Sequence, residues 1–148
     1  MSAGTPQPVD AAQYQYLSVD DVVQIIEIFT AAPLRESVRD MGLLMAAVER
    51  PAMRYGGRDV YPNLPAKSAA LMESLARYNS LFDGNKRLAW LATNVFLELN
   101  HAAMHFSDNE TFSLLREVAQ GYLSTQELAQ RIGQRLGPWP PPAAQPPR

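Results

Sequence analysis

The chain has 148 residues, of which 47% are hydrophobic and 19% are charged. This size and apolar fraction are typical of one compact domain with a buried core, and they exclude a disordered or collagen-like chain. Thirteen basic and fifteen acidic residues give a net charge of −2, so the chain lacks the overall basic field that favours nucleic acid or an anionic membrane.

Two further classes are excluded by composition. The sequence has no cysteine, which rules out disulfides, thiolate metal sites and a cysteine nucleophile. The longest strongly apolar stretch, residues 88–99, is interrupted by polar residues and is shorter than the roughly 20 residues that span a bilayer. Residues 1–13 lack the basic and apolar regions of an export signal, so we expect a cytoplasmic protein.

Helical periodicity begins early in the chain. Ser18 and Asp21 resemble a capping box, and the apolar spacing that follows predicts a helix over about 19–31. The same kind of spacing predicts helices over 38–48 and over 65–79.

Residues 53–63 break this rhythm. Gly56 and Gly57 lie between two short segments with aromatic and β-branched residues, which predicts a small β-hairpin flap.

A more apolar helix follows Gly84. Its hydrophobic residues recur at helical spacing up to Leu99, and Trp90 and Leu97 make it apolar on nearly all sides, which favours the centre of a bundle. Two more helices are predicted to begin near Asp108 and at Ser124. The sequence therefore predicts an all-α bundle of about six helices around a central buried helix, with one hairpin flap.

The boundaries of this domain follow from composition. Residues 1–15 are predicted to be a flexible tail, residues 16–136 the domain, and residues 137–148 an extended, mobile tail that holds six of the twelve prolines. Trp139 is the exception in that tail, because it could instead anchor a partner or a second copy of the chain. Other large side chains at helical spacing are predicted to be core residues: Met41, Met45, Met72, Phe29, Trp90, Phe96 and Phe112.

One polar segment, residues 79–87, departs from what packing alone would favour. It places a glycine turn, an asparagine and two cations at the start of the apolar helix. Free N–H groups at a helix start, together with Asn85, Lys86 and Arg87, can bind an anion, and Asp83 is suited to a divalent cation. On spacing alone, an ordinary turn is the more common reading, with Asp83 capping the helix and the two cations solvated or paired with carboxylates such as Glu98.

The same segment resembles the motif of the Fic/Doc family. That motif reads His-x-Phe-x-Asp/Glu-Gly/Ala-Asn-Gly/Lys-Arg, and the chain reads Asn79-Ser80-Leu81-Phe82-Asp83-Gly84-Asn85-Lys86-Arg87. Further similarity to the Doc, or death-on-curing, branch extends over roughly residues 17–136. The resemblance implies an all-α bundle with a hairpin flap.

The resemblance also implies a chemistry, which is transfer from a nucleoside triphosphate to a protein hydroxyl. In Fic proteins this is mostly AMP transfer, and in Doc-like toxins it is phosphorylation of elongation factor Tu. By position, Asp83 would hold Mg²⁺, while Gly84, Asn85, Lys86 and Arg87 would bind the phosphates of ATP. The implied partners are a Phd-like antitoxin and elongation factor Tu or another protein target, docked on the flap.

Asn79 stands where the family has its histidine base. An amide does not accept a proton at physiological pH, and general-base catalysis is worth about 10²–10⁴-fold, so an impaired enzyme is expected. The alternative is a non-catalytic binding module that holds nucleotide, antitoxin or target. His101 and His105 are poor substitutes, because the helix that precedes them places them about 20 Å from the anion site.

Overall fold

The computed structural model describes residues 13–143 and 146–147, and within them it contains seven α-helices and two small two-stranded antiparallel sheets, of which only the first is a hairpin. A 3-10 turn, Arg50–Ala52, follows the third helix. The elements are α1 Val19–Thr30, α2 Leu34–Ser37, α3 Met41–Glu49, β1 Arg54–Tyr55, β2 Arg58–Asp59, α4 Leu64–Arg77, α5 Asn85–Leu99, β3 Ala102–Met104, α6 Asp108–Ala119, α7 Thr125–Gly133 and β4 Leu136–Pro138. The predicted all-α class is confirmed, with one more helix and one more two-stranded sheet than expected.

The centre of the bundle is a pair of helices. Helix α5 packs against α4, and α4 also contacts α3, α6 and α7. Leu88, Ala92 and Phe96 of α5 are buried, and α4 is buried along most of its length because its alanines and serines allow close packing. The centre of the bundle is therefore formed by α5, as predicted, together with α4. No helix in the described part of the chain is both long and apolar enough to cross a bilayer.

The predicted helix starts are largely confirmed by their caps. Ser18 and Ser124 each form a capping box with the acidic residue three positions later. Helix α6 begins at Asp108 as predicted, and its N-cap is Ser107, which forms a capping box with Glu110.

The segment between α1 and α3 differs from the prediction. Pro33 ends the first helical pattern and then caps the short helix α2, which the periodicity does not reveal because one turn is too short to show it. Val38 was predicted to open a helix but is extended and forms a β-bridge with Leu81. Helix α3 begins only at Met41, where Asp40 accepts a hydrogen bond from the N–H of Leu43 at 3.0 Å.

The C-terminal expectation is wrong for Gly137 and Pro138. These residues belong to β4, which pairs with β3 so that Ala102 faces Pro138 and Met104 faces Leu136. A proline is tolerated at the end of such a two-stranded edge because its missing N–H is not needed there. Trp139 continues the contact by donating its N–H to the carbonyl of His101 at 3.0 Å.

The folded part of the chain begins before residue 16, where the domain was predicted to start. Gln15 exchanges two hydrogen bonds of 2.9 Å with the side chain of Asn100, so it belongs to the folded unit. The remainder of the expected flexible tail, residues 1–12, lies outside the described residues.

Three predicted core residues are exposed. Met41, Met45 and Phe112 expose 38%, 43% and 66% of their surface, whereas Met72 and Phe96 are buried as expected. Helix α3 is apolar on several sides, so its spacing alone does not identify the face that meets the core.

Lys67 of α4 is fully buried, which the sequence analysis did not anticipate. Its ammonium lies 3.0 Å from a carboxylate oxygen of Asp59 in the flap and 3.3 Å from the carbonyl of Pro51. The rings of Tyr14 and Tyr16 lie 4.9 and 5.5 Å from it. One buried cation thus joins the flap, α4 and the first described residues.

Replacing Lys67 by methionine should lower the free energy of unfolding by about 3 kcal/mol, because breaking a buried ion pair leaves a charge without its partner. Urea denaturation followed by circular dichroism measures this. The exposed Lys86 gives the matched control, and Lys86→Met should change the same quantity by less than about 0.5 kcal/mol. Equal stabilities of the two variants would contradict the role assigned to Lys67.

A second prediction concerns pH. The hydrogen bond from Arg135, with those from Ser107, lowers the pKa of Glu110 from 4.5 to about 2. Because the folded pKa lies below the unfolded one, the pair stabilises the fold above pH 4.5, and this contribution is lost as the pH falls towards 2.

Arg135→Gln should raise the pKa of Glu110 towards its ordinary value in an NMR titration. Glu127 is the internal control, because its lowered pKa is caused by Ser124 and should not move. An unchanged Glu110 in the variant would contradict the assignment to Arg135.

Candidate functional site

The polar segment forms the loop between α4 and α5, and Asn85 fixes its shape. The side-chain oxygen of Asn85 accepts from the N–H of Leu81 at 3.0 Å, and its amide nitrogen donates to the carbonyl of Leu81 at 3.1 Å. Leu81 itself is buried in the core. The loop is therefore closed onto the first residue of α5. The sequence predicted this amide as a donor to an anion, and in the structure one of its two N–H groups braces the loop.

The segment between α2 and α3 supports the loop from the other side. Besides the bridge between Val38 and Leu81, the N–H of Phe82 donates to the carbonyl of Ser37 at 3.1 Å. The N–H groups of Arg39 and Asp40 both donate to the carbonyl of Ser80, at 2.8 and 3.1 Å. Short strand-like pairing thus holds residues 80–82 in place.

Asn79 sits in a left-handed backbone conformation with φ of 53°. Asparagine tolerates this region better than most residues. The guanidinium Nε of Arg39 donates to the carbonyl of Asn79 at 2.7 Å. Arg39 therefore fixes the backbone of Asn79, and the sequence analysis did not identify this role because it depends on a contact across 40 residues.

Gly84 is the N-cap residue of α5 and has a φ of 88°. A Cβ atom at this position would lie 3.0 Å from Cε2 of Phe29, so both the backbone and the neighbouring ring require glycine. The N–H of Gly84 donates to the carboxylate of Asp83 at 2.9 Å. No side chain caps α5, so Asp83 does not have the capping role that the alternative reading gave it.

A cleft of about 480 Å³ opens over this helix start. Asn79 and the five residues from Asp83 to Arg87 all line it, so the structure brings together every residue that the sequence placed in the site. His101 and His105 do not line it. The cleft is completed by three residues that the sequence analysis did not assign to the site: Ala76, Phe82 and Ala119.

The cleft is rich in positive charge. Lys86 and Arg87 are exposed, and neither forms an ion pair with a described residue, including Glu98. The first N–H groups of α5 lack intrahelical acceptors and point out of the same end. Two free cations and a helix N-terminus repel each other, and an anion relieves that repulsion.

Among the described residues, Asp83 is the one carboxylate that lines the cleft. One of its oxygens is engaged with Gly84, and the side chain is exposed. The described residues contain no cluster of three or more side chains suited to hold a metal by themselves. A cation here would need oxygen atoms from a ligand, which is how Mg²⁺ is commonly bound beside phosphates.

Two comparisons with known proteins agree with this arrangement. The model of the Fic/DOC family matches residues 16–97. The chain is also 45% identical over 107 residues to Toxin Doc from Mycolicibacterium smegmatis, a match that covers 71% of this chain and 81% of that protein.

Gly84→Ala should destabilise the fold by about 1 kcal/mol more than Gly57→Ala. Both glycines have positive φ, but a Cβ at Gly57 would meet nothing within 4 Å, whereas one at Gly84 would press on Phe29. Thermal denaturation of the two variants measures the difference. Equal losses of stability in the two variants would show that the contact with Phe29 does not add to the destabilisation.

Proposed function

Because the chain belongs to the Fic/DOC family, we propose that it is a Doc-like toxin of a toxin–antitoxin system that binds Mg²⁺-ATP but transfers phosphate or AMP slowly. The observation that carries the proposal is the cleft in which two cations, neither paired with an acidic residue in the described part of the chain, meet the open start of α5. The substitution of the family histidine by Asn79 accounts for the slow transfer.

The phosphates of ATP fit the chemistry of the cleft. The backbone N–H groups of Asn85, Lys86 and Arg87 offer donors at the positive end of the helix dipole. The ammonium of Lys86 and the guanidinium of Arg87 neutralise the charge of the triphosphate and of the transition state. These groups need no large rearrangement, because the bracing of Leu81 by Asn85 already fixes the helix start.

Asp83 is suited to the magnesium ion. Its side chain is exposed, and the bond to Gly84 engages one oxygen and leaves the other available. When bound, Mg²⁺ neutralises phosphate charge. Asp83 would orient it, and Lys86 and Arg87 would act on the remaining phosphate oxygens.

The slow transfer of phosphate or AMP is attributed to Asn79. A hydroxyl that attacks a phosphorus atom must lose its proton, and the amide of Asn79 cannot accept it. Positioning and charge neutralisation still act, so we expect the rate to fall by about 10²–10⁴-fold relative to an enzyme with a base at this position. The protein target is elongation factor Tu or another protein with an accessible hydroxyl.

The proposed partners follow from the similarity to Toxin Doc. A Phd-like antitoxin would bind the chain, and the β1–β2 flap would hold an extended segment of the target by strand addition. The flap presents a short open edge and an exposed Tyr55, which is the kind of surface that such a segment uses.

A second candidate function is a non-catalytic binding module. Asn79 favours it, because this residue lines the cleft and offers a hydrogen-bonding amide without basicity. Such a module would bind Mg²⁺-ATP and form no product. Any turnover of ATP by the unaltered chain, measured with labelled nucleotide and mass spectrometry of the target, would refute it.

Asn79→His should raise transfer to the target by about 10²–10⁴-fold, because an imidazole with a pKa near 6.5 can accept the hydroxyl proton. The rate of this variant should increase as the pH rises through that pKa. Transfer from labelled ATP to elongation factor Tu, together with growth arrest on expression, measures the effect.

Asn79→Gln is the matched control, since it keeps an amide and should stay as slow as the unaltered chain. The proposal is wrong if the histidine variant folds and binds ATP but modifies neither elongation factor Tu nor any other protein in a cell extract.

A further inference from the structure

A second cleft lies on the other side of the turn formed by Phe82, Asp83 and Gly84. It has a volume of about 290 Å³ and shares with the first cleft the three turn residues and Arg87. Its far wall comes from the end of α1 and from α2, through Phe29, Thr30, Glu36 and Ser37. A ligand that occupies the first cleft can therefore extend over the turn into the second without meeting a different part of the fold.

The second cleft has two aromatic walls. Phe82 exposes 65% of its surface, which is unusual for a phenylalanine that follows a fully buried leucine. The guanidinium of Arg87 lies over the ring of Phe29, 5.7 Å from its centroid. An exposed ring beside a cation that also faces the phosphate side is a suitable platform for a flat aromatic group.

Glu36 supplies the free polar group of this cleft. The hydroxyl of Thr30 already donates to the carbonyl of Ile26 at 2.7 Å, and that of Ser37 points to the carbonyl of Pro33 at 3.5 Å. The carboxylate of Glu36 is exposed and forms no ion pair with a described residue. It can accept hydrogen bonds from a ligand.

We infer that the second cleft binds the nucleobase of the nucleotide whose phosphates occupy the first. The base stacks on Phe82, and Glu36 accepts a hydrogen bond from an exocyclic amino group. Adenine and guanine meet both requirements. Uracil does not, because two carbonyl oxygens flank its N–H and would repel the carboxylate. This inference rests on the proposed function and adds the recognition of the base.

Calorimetric titration of the full chain in the presence of Mg²⁺ tests it with three probes: inorganic tripolyphosphate, ATP and UTP. ATP should bind about tenfold more tightly than tripolyphosphate, because base stacking adds roughly a factor of ten. UTP should bind more weakly than ATP. Glu36→Gln should reduce the preference for ATP over UTP, since an amide can donate to uracil.

Phe82→Ala tests the stacking ring. Phe82 also borders the first cleft, but its ring has no polar group that binds phosphate, so the variant should weaken ATP binding about tenfold and leave tripolyphosphate binding within about twofold. Phe112→Ala is the matched control, because Phe112 exposes 66% of its surface on α6 and lines neither cleft, and it should change neither affinity.

Each outcome separates this inference from the proposed function. Equal affinities for ATP and tripolyphosphate, or an equal loss of both in Phe82→Ala, would overturn the inference and leave phosphate binding intact. ATP binding that depends on Phe82 and Glu36, with no binding of tripolyphosphate, would support the base site and contradict the phosphate role of Lys86 and Arg87. Absence of binding by all three probes would overturn both.

Discussion

The pair of hydrogen bonds between the side chain of Asn85 and the backbone of Leu81 is the constraint on which the site depends. It closes a short loop between the two most closely packed helices, and the burial of Leu81 anchors that loop in the core. Gly84, with its positive φ, lies within this closed loop and directly precedes α5. The two clefts lie on either side of the same turn, so their geometry is set by the packing of α4 on α5.

This arrangement is electrostatically unfavourable at the start of α5. Most helix starts favour acidic residues and a side-chain cap, and α1, α6 and α7 have both. Helix α5 has neither, and its first turn carries Lys86 and Arg87 instead. The protein tolerates this local repulsion because α5 gains its stability from burial along its length rather than from its cap. An anion that enters the cleft therefore meets donors that are not bonded to any other described residue.

Local signals made much of the fold predictable from the sequence. The capping boxes, the glycine pair of the flap and the residues Asp83 to Arg87 are short-range patterns, and the structure contains them where expected. What the sequence did not reveal depends on contacts between distant residues. The bond from Arg39 to Asn79, the burial of Lys67 and the pairing of β3 with β4 join segments with no local pattern in common. The bracing role of Asn85 was not predicted because its residue type suits both an anion and a backbone partner.

The environment of Lys67 links two parts of the chain that differ in sequence position. Its ammonium contacts Asp59 of the flap and the ring of Tyr14, close to the first described residue. The flap is thus thermodynamically coupled to the N-terminal segment through one atom. Proteolysis that removes Tyr14 would take away one of the two rings that cover that ammonium and loosen the hairpin, so preparations that differ at this end would differ in how firmly the flap is held.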